Sequence, residues 1–243
     1  MSSVANHVPR VGFVIPAGNT TLEVEAPLVL GGVAASHFQR FTQLIKSQND
    51  LELGAAAIVE AARTLVGARV AAIGVGYTAG SFAGGPAWDA DLRVRISDAT
   101  GRAATTAADA IVRVLHGHRF QRVAAVSPYA QEVNDNLRAY LAKEGIDTTS
   151  LVGSPPAGPA GEVPMPEVEA LALSVDRSGA QALLISCTGL RTLALIDSLE
   201  RKSGLPVVSS NQALFATLRV MVGIEASIPG YGSVLAEAVL PTA

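Results

Sequence analysis

Short apolar runs alternate with longer stretches of helical spacing along most of the chain. VGFVIP, Val11 to Pro16, is a strand-length run that ends in the turn-forming AGNTT, with Asn19, Thr20 and Thr21 at its carboxyl end. From Asp50 to Gly67, apolar and alanine positions recur at helical spacing and stop at a glycine, and a second strand follows from Val70 to Val75. That strand runs out into GYTAGSFAGG, Gly76 to Gly85, read as a loop whose small residues let the backbone approach a ligand closely.

Helical spacing returns from Thr105 to Leu115, followed by a strand from Val123 to Val126, a turn holding Tyr129, and a helix to about Lys143. Beyond the Pro/Gly-rich passage Gly153 to Pro166, the pattern predicts a helix near Glu167 to Ser178 and a strand from Ala182 to Ile185. Cys187 comes next, then a helix from near Leu190 to Ser203, the strand PVV and a last helix in SSNQALFATLRVMVG. Strands alternating with helices of this length imply parallel sheets joined by crossover helices.

The two halves echo each other. In each, a first strand ends near a polar residue, Asn19 or Tyr129, and a later strand ends in small residues with a threonine, GYTAGS or SCTGLR. The expected fold is therefore α/β, with two pseudo-symmetric lobes, each a mainly parallel sheet flanked by helices. Residues 1–116 with 215–243 are expected to form the first lobe and 117–214 the second, with the site in the cleft between them.

Composition narrows the function. The 243 residues are 49% apolar but only 5% aromatic, so the core is expected to use small side chains. Eighteen basic against twenty-one acidic residues, with no basic stripe, argue against nucleic acid as a partner. The opening MSSVANHVPR has no cationic start followed by an apolar run, and no segment is apolar enough to span a bilayer, so a cytoplasmic protein without membrane contact is expected. One cysteine with His7, His37, His116 and His118 offers no metal-ligand spacing, and no cofactor motif is present.

Cys187 is then either a small hydrophobe or a reagent. Thr78 and Ser81 are helix-capping types as well as hydrogen-bond donors, Asn19 is a turn residue as well as a polar contact, and Tyr129 could simply pack. Ser209, Ser210 and Asn211 are placed to cap the helix that follows them. Tyr77 can point into the cleft or turn into the core. His116 and His118 read as a solvated helix end.

The ordered set VGFVIPAGNTTLEVEAP, GYTAGSFAGG, VSPYAQEVNDNL, SCTGLRTLALIDSLE and GLPVVSSNQALF resembles the aspartate/glutamate racemase superfamily, in the branch of arylmalonate decarboxylases and maleate cis-trans isomerases. The resemblance runs from about Val11 to about Tyr231 and implies a cofactor-free site between two lobes. It places Cys187 at the second-lobe catalytic cysteine and Tyr77 where isomerase-like relatives carry a first-lobe cysteine and decarboxylases a glycine. It implies substrate contacts from Thr78, Tyr129, Thr188, Gly189, Asn19, Tyr77 and Ala79, the last standing where a decarboxylase offers a serine hydroxyl. The implied partner is a small dicarboxylate, and a homo-oligomer is compatible with the family.

Chemistry separates the activities within that branch. Racemisation needs a proton-transfer group on each face of the carbon, and a phenol near about 10 is a poor second partner for a thiol near about 8.5. Loss of CO₂ from a malonate-type diacid needs one proton donor and stabilisation of an enediolate, so decarboxylation is the expected reaction. Cis-trans isomerisation with Cys187 as nucleophile is the alternative. The Asn19-Thr20-Thr21 form of the first loop favours it, whereas the missing first-lobe cysteine and the LVGSPPAGPAG reading where isomerases supply an asparagine oppose it. A helix beginning near Leu190 is expected to lower the Cys187 pKa through its N-terminus. A non-catalytic carboxylate-binding protein is the reading from a different class.

Overall fold

A computed structural model describes residues 8–43, 45, 48–224 and 227–236, so residues 1–7, His7 among them, lie outside the described residues. The first half runs β1 (Arg10–Pro16), α1 (Thr21–Leu30), β2 (Ala35–Phe41), α2 (Leu51–Leu65), β3 (Ala72–Val75), α3 (Thr78–Thr100), β4 (Ala103–Thr106) and α4 (Ala107–Gly117). The second runs β5 (Arg122–Ser127), α5 (Gln131–Lys143), β6 (Asp147–Gly153), α6 (Met165–Ser174), β7 (Ala182–Ile185), α7 (Ile196–Ser203) and β8 (Val207–Ser209). Helices α8 (Ser210–Met221) and α9 (Ser233–Ala236) follow.

Each half builds a four-stranded, fully parallel sheet, in the orders β2-β1-β3-β4 and β6-β5-β7-β8. The second order is the first with every strand advanced by four, so the echo in the sequence corresponds to one topology used twice. The central strands are covered on both faces and read as unbroken apolar runs, which is what a parallel sheet demands. Phe13 of β1 shows the packing: its ring stacks on Phe38 of β2 at 4.9 Å and meets Phe215 of α8 edge-on at 5.9 Å. On the opposite face Val14, Ile73 and Val75 pack with Ile58, Ala62 and Leu65 of α2 and with Leu92 and Ile96 of α3. Helices α4 and α8 lie together, and α8 also packs on β3 and β4, so the second half returns its last long helix to the first sheet.

Several boundaries differ from the sequence reading. GYTAGSFAGG is not a loop: Thr78 begins α3, which continues to Thr100 across a kink at Gly85 (φ 79°, ψ 173°) immediately before Pro86. Small residues hid a helix whose first turns are held by buried Phe82, packed on Tyr140 of α5. The helix expected over Thr105 to Leu115 begins only at Ala107, because Thr105 and Thr106 complete β4 and the Thr106 hydroxyl caps the helix at Asp109 N–H. The helix expected over Glu167 to Ser178 lies at Met165–Ser174, started by Pro166 in its first turn.

The helix expected near Leu190 is also corrected. Residues 188–192 are irregular, a 3₁₀ turn covers Leu193–Leu195, and α7 starts at Ile196. The backbone of this stretch is bonded to the other half of the molecule, which keeps it out of a helical ladder. Cys187 therefore has no helix N-terminus behind it. His116 and His118 close α4, with His116 Nε2 2.9 Å from the Glu144 carbonyl and His118 stacked on Phe120. Among the described residues no group of three metal-ligating side chains exists, and no helix is long and apolar enough to cross a membrane.

Candidate active site

In each sheet the first strand lies beside the third, with the second strand on its outer side, so the loops after β1 and β3, and after β5 and β7, diverge from a switch point. That is where parallel sheets open a crevice beyond their carboxyl ends. The four loops face one another around a cleft of about 320 Å³, at the lower end of the range for small-ligand pockets. All eight positions singled out from the sequence line it: Asn19, Tyr77, Thr78, Ala79, Tyr129, Cys187, Thr188 and Gly189. Among the described residues no Asp, Glu, Lys, Arg or His lines the cleft, and those that do offer neutral donors and apolar surface.

The hydroxyls of Thr78 and Tyr129 are 2.7 Å apart, bridging the end of β3 and the end of β5. The Cys187 sulfur accepts the Gly189 N–H at 3.3 Å and has the Tyr129 hydroxyl as a neighbour, while the Leu190 N–H goes to the Cys187 carbonyl at 3.3 Å. Burial pushes the Cys187 thiol above its ordinary value of 9.0, and the neighbouring donors only partly oppose this. Burial, reinforced by the neighbouring Cys187, raises the Tyr129 phenol still more strongly. Both groups hold their protons at neutral pH. The cleft thus contains a thiol that is a proton donor in its resting state and a phenol fixed as a hydrogen-bond donor.

Tyr77 has a different part. Its ring lines the cleft and meets Phe41 edge-on at 5.5 Å, but its hydroxyl turns away to Ile45, accepting the backbone N–H and donating to the carbonyl, both at 3.1 Å. Burial holds this phenol protonated as well. Tyr77 is a wall of the cleft with its polar end already engaged.

Asn19 joins the halves. Its Oδ1 accepts the N–H groups of Thr21 and Leu22 at the start of α1, while its Nδ2 donates to the Thr188 hydroxyl at 3.1 Å. Thr188 in turn donates to the Gly76 carbonyl at 2.9 Å. Ala79 lines the cleft from the first turn of α3 and offers no side-chain hydroxyl there. Ser81 is buried in the next turn and does not line the cleft. Ser209 caps α8 through a capping box with Gln212, and Ser210 accepts the Cys187 N–H at 3.1 Å, so neither faces the cleft.

A family profile described as arylmalonate decarboxylase matches residues 11–235, which is nearly the whole chain. The chain belongs to the arylmalonate decarboxylase family. Within that family it is 31% identical over 241 residues to the arylmalonate decarboxylase of Bordetella bronchiseptica, covering 95% of both chains. A crystal structure of arylmalonate decarboxylase superposes with a TM-score of 0.78 at 28% identity, covering 94% of this chain and 100% of the other. The maleate cis-trans isomerase of Nocardia farcinica, solved with TRIS bound, gives 0.87 at 26% identity over 94% and 98% of the two chains. The family match bears out the resemblance read from the ordered motifs, and the named relatives are enzymes of both kinds, a decarboxylase and an isomerase.

Pro16, Thr20 and Thr21 of the first motif also line the cleft, and Pro159, Ala160 and Gly161, which no motif revealed, line it from the connection between β6 and α6. A β-carbon at Gly161 would stand 3.0 Å from Thr21 Oγ1, which explains the small residue there. The sequence marked that connection only as Pro/Gly-rich, and nothing in its composition directs it back across the cleft.

Proposed function

We propose that the protein decarboxylates malonate-type dicarboxylates without a cofactor, with Cys187 as the proton donor. The observation that carries this reading is a single protonated thiol in a cleft walled by Tyr77, whose hydroxyl is committed to the Ile45 backbone. Two-sided proton transfer has no second group, and one-sided delivery needs none.

In this mechanism one carboxylate of the substrate is held by Thr78, Tyr129 and the backbone N–H of Thr188, while the Gly189 N–H stays on the Cys187 sulfur. The other lies against the apolar side of the cleft, near Pro16, Tyr77, Pro159 and Ala160. The bond from the central carbon to the apolar-side carboxylate breaks, its electron pair moves into the retained carboxylate as an enediolate, and CO₂ leaves. Donors aimed at the retained group stabilise the growing charge, and the poorly solvated position disfavours the charge being lost. The Cys187 proton then passes to the carbon, and the thiolate is reprotonated from solvent. No electron sink beyond the retained carboxylate is required.

A second reading has support of its own. Asn19 with Thr20 and Thr21 forms the isomerase type of first loop and lines the cleft, so addition of Cys187 to a maleate-like double bond, rotation and elimination is the alternative. The experiment is incubation with phenylmalonate and with maleate, followed by NMR. Phenylacetate and CO₂ from the first support decarboxylation; fumarate from the second, with phenylmalonate untouched, overturns it. Cys187→Ala is expected to lower turnover at least about 100-fold while leaving the circular-dichroism spectrum unchanged.

A further inference from the structure

We propose that Glu25, outside the cleft, is the positioning residue for the Cys187 loop. This rests on Cys187 being the reacting group. Glu25 lies on α1, is only 4% exposed, and meets donors alone: Thr192 N–H at 2.6 Å, Leu193 N–H at 3.0 Å and the Asn211 side-chain amide at 2.7 Å. An ionised carboxylate accepts at every lone pair, so this set of partners suits it and no neutral side chain of similar length. Burial pushes the Glu25 carboxyl above its ordinary value, and these three donors, with the charge of Arg191 facing it from the second half, oppose that push.

Its reach to the thiol follows from the planarity of the peptide unit. The Asn211 amide that donates to Glu25 also donates to the Thr188 carbonyl at 3.2 Å. One turn before Glu25 on the same face of α1, the Thr21 hydroxyl donates to the Gly189 carbonyl at 2.6 Å. In a trans peptide the C=O and the next N–H point in opposite directions. Holding the Thr188 carbonyl therefore turns the Gly189 N–H toward Sγ, where it is the backbone donor found on the sulfur. Holding the Gly189 carbonyl fixes the same turn, which the Leu190 N–H closes on the Cys187 carbonyl at 3.3 Å.

Asn211 Oδ1 is left without a partner. A flipped amide would set that oxygen against two acceptors, Glu25 and the Thr188 carbonyl. The carboxylate of the first half thereby fixes the amide, the amide fixes the loop, and the loop aims the donor.

The test uses the full-length protein with Glu25→Gln and Asn211→Ala. Cys187 alkylation by iodoacetamide is followed by mass spectrometry between pH 7 and pH 10, beside kcat and KM for phenylmalonate and thermal unfolding. Both variants are expected to alkylate about tenfold more slowly at a given pH below the thiol's titration, with the profile moved to higher pH, because a donor to the thiolate is lost. kcat is expected to fall in parallel while KM changes little. A folded variant that alkylates as fast as the wild type, or faster through exposure, overturns the proposal, since a merely structural role loosens the loop and lowers only the unfolding temperature. If Glu25→Gln does not fold, Asn211→Ala decides. Alkylation is read without turnover, so a wild-type protein inactive on phenylmalonate refutes the decarboxylase and leaves this test standing.

Discussion

Replacing Tyr77 by phenylalanine separates a wall from an acid. The ring and its edge contact with Phe41 are retained, and only the hydroxyl that bridges the Ile45 N–H and carbonyl at 3.1 Å each is lost. Two neutral hydrogen bonds at about 0.5–1.5 kcal/mol net each predict a loss of about 1–3 kcal/mol in stability. For a chain of this size that corresponds to about 2–12 °C in the unfolding midpoint, measurable by calorimetry or by circular dichroism on heating. Turnover of phenylmalonate is expected to stay within about threefold, because a hydroxyl turned away from the cleft supplies no proton to the substrate. A catalytic acid or base would instead cost about 100-fold or more. A Tyr77→Phe enzyme that keeps its unfolding midpoint but loses 100-fold in kcat would refute the reading of this residue, and with it the argument that Cys187 works alone.

The pH profile distinguishes the two chemistries. Burial raises the Cys187 pKa above 9.0, so the proton-donating thiol persists through neutral pH and disappears only as pH rises past that value. Decarboxylation is expected to be flat through neutrality and to fall in the alkaline range, whereas an isomerase using the thiolate would become faster there; initial rates in buffers of constant ionic strength decide. In the core, Phe13→Ala removes a fully buried ring packed between Phe38 and Phe215 and is expected to cost about 3–5 kcal/mol in urea unfolding.

The central strands were legible because burial on both faces leaves a run of apolar residues that no loop can mimic: Val11 to Pro16, Val123 to Val126 and Ala182 to Ile185 all form strands. The edges were not. β2, ASHFQRF, is half-buried along nearly its whole length and carries no apolar run, while β4, AATT, is short and made of small residues. Helix α3 was concealed for a related reason, since GYTAGSFAGG lacks the apolar periodicity of a surface helix and is bent at Gly85. The helix expected after Cys187 failed on tertiary grounds, because Thr192 and Leu193 give their N–H groups to Glu25.

By itself the sequence determined two parallel α/β halves, the strand ends that carry chemistry, and the single thiol at one of them. Periodicity and residue type depend on burial and local geometry, which a sequence records directly. Only the tertiary structure decided that Tyr77 turns its hydroxyl to Ile45, that the connection through Gly161 returns to the cleft, and that a glutamate on α1 grips the loop beside the thiol. Those are contacts between segments far apart in the chain, and Glu25 and Asn211 are separated by 186 residues. No local pattern encodes which buried acceptor will find which buried donor; that is fixed only when the two halves close on each other.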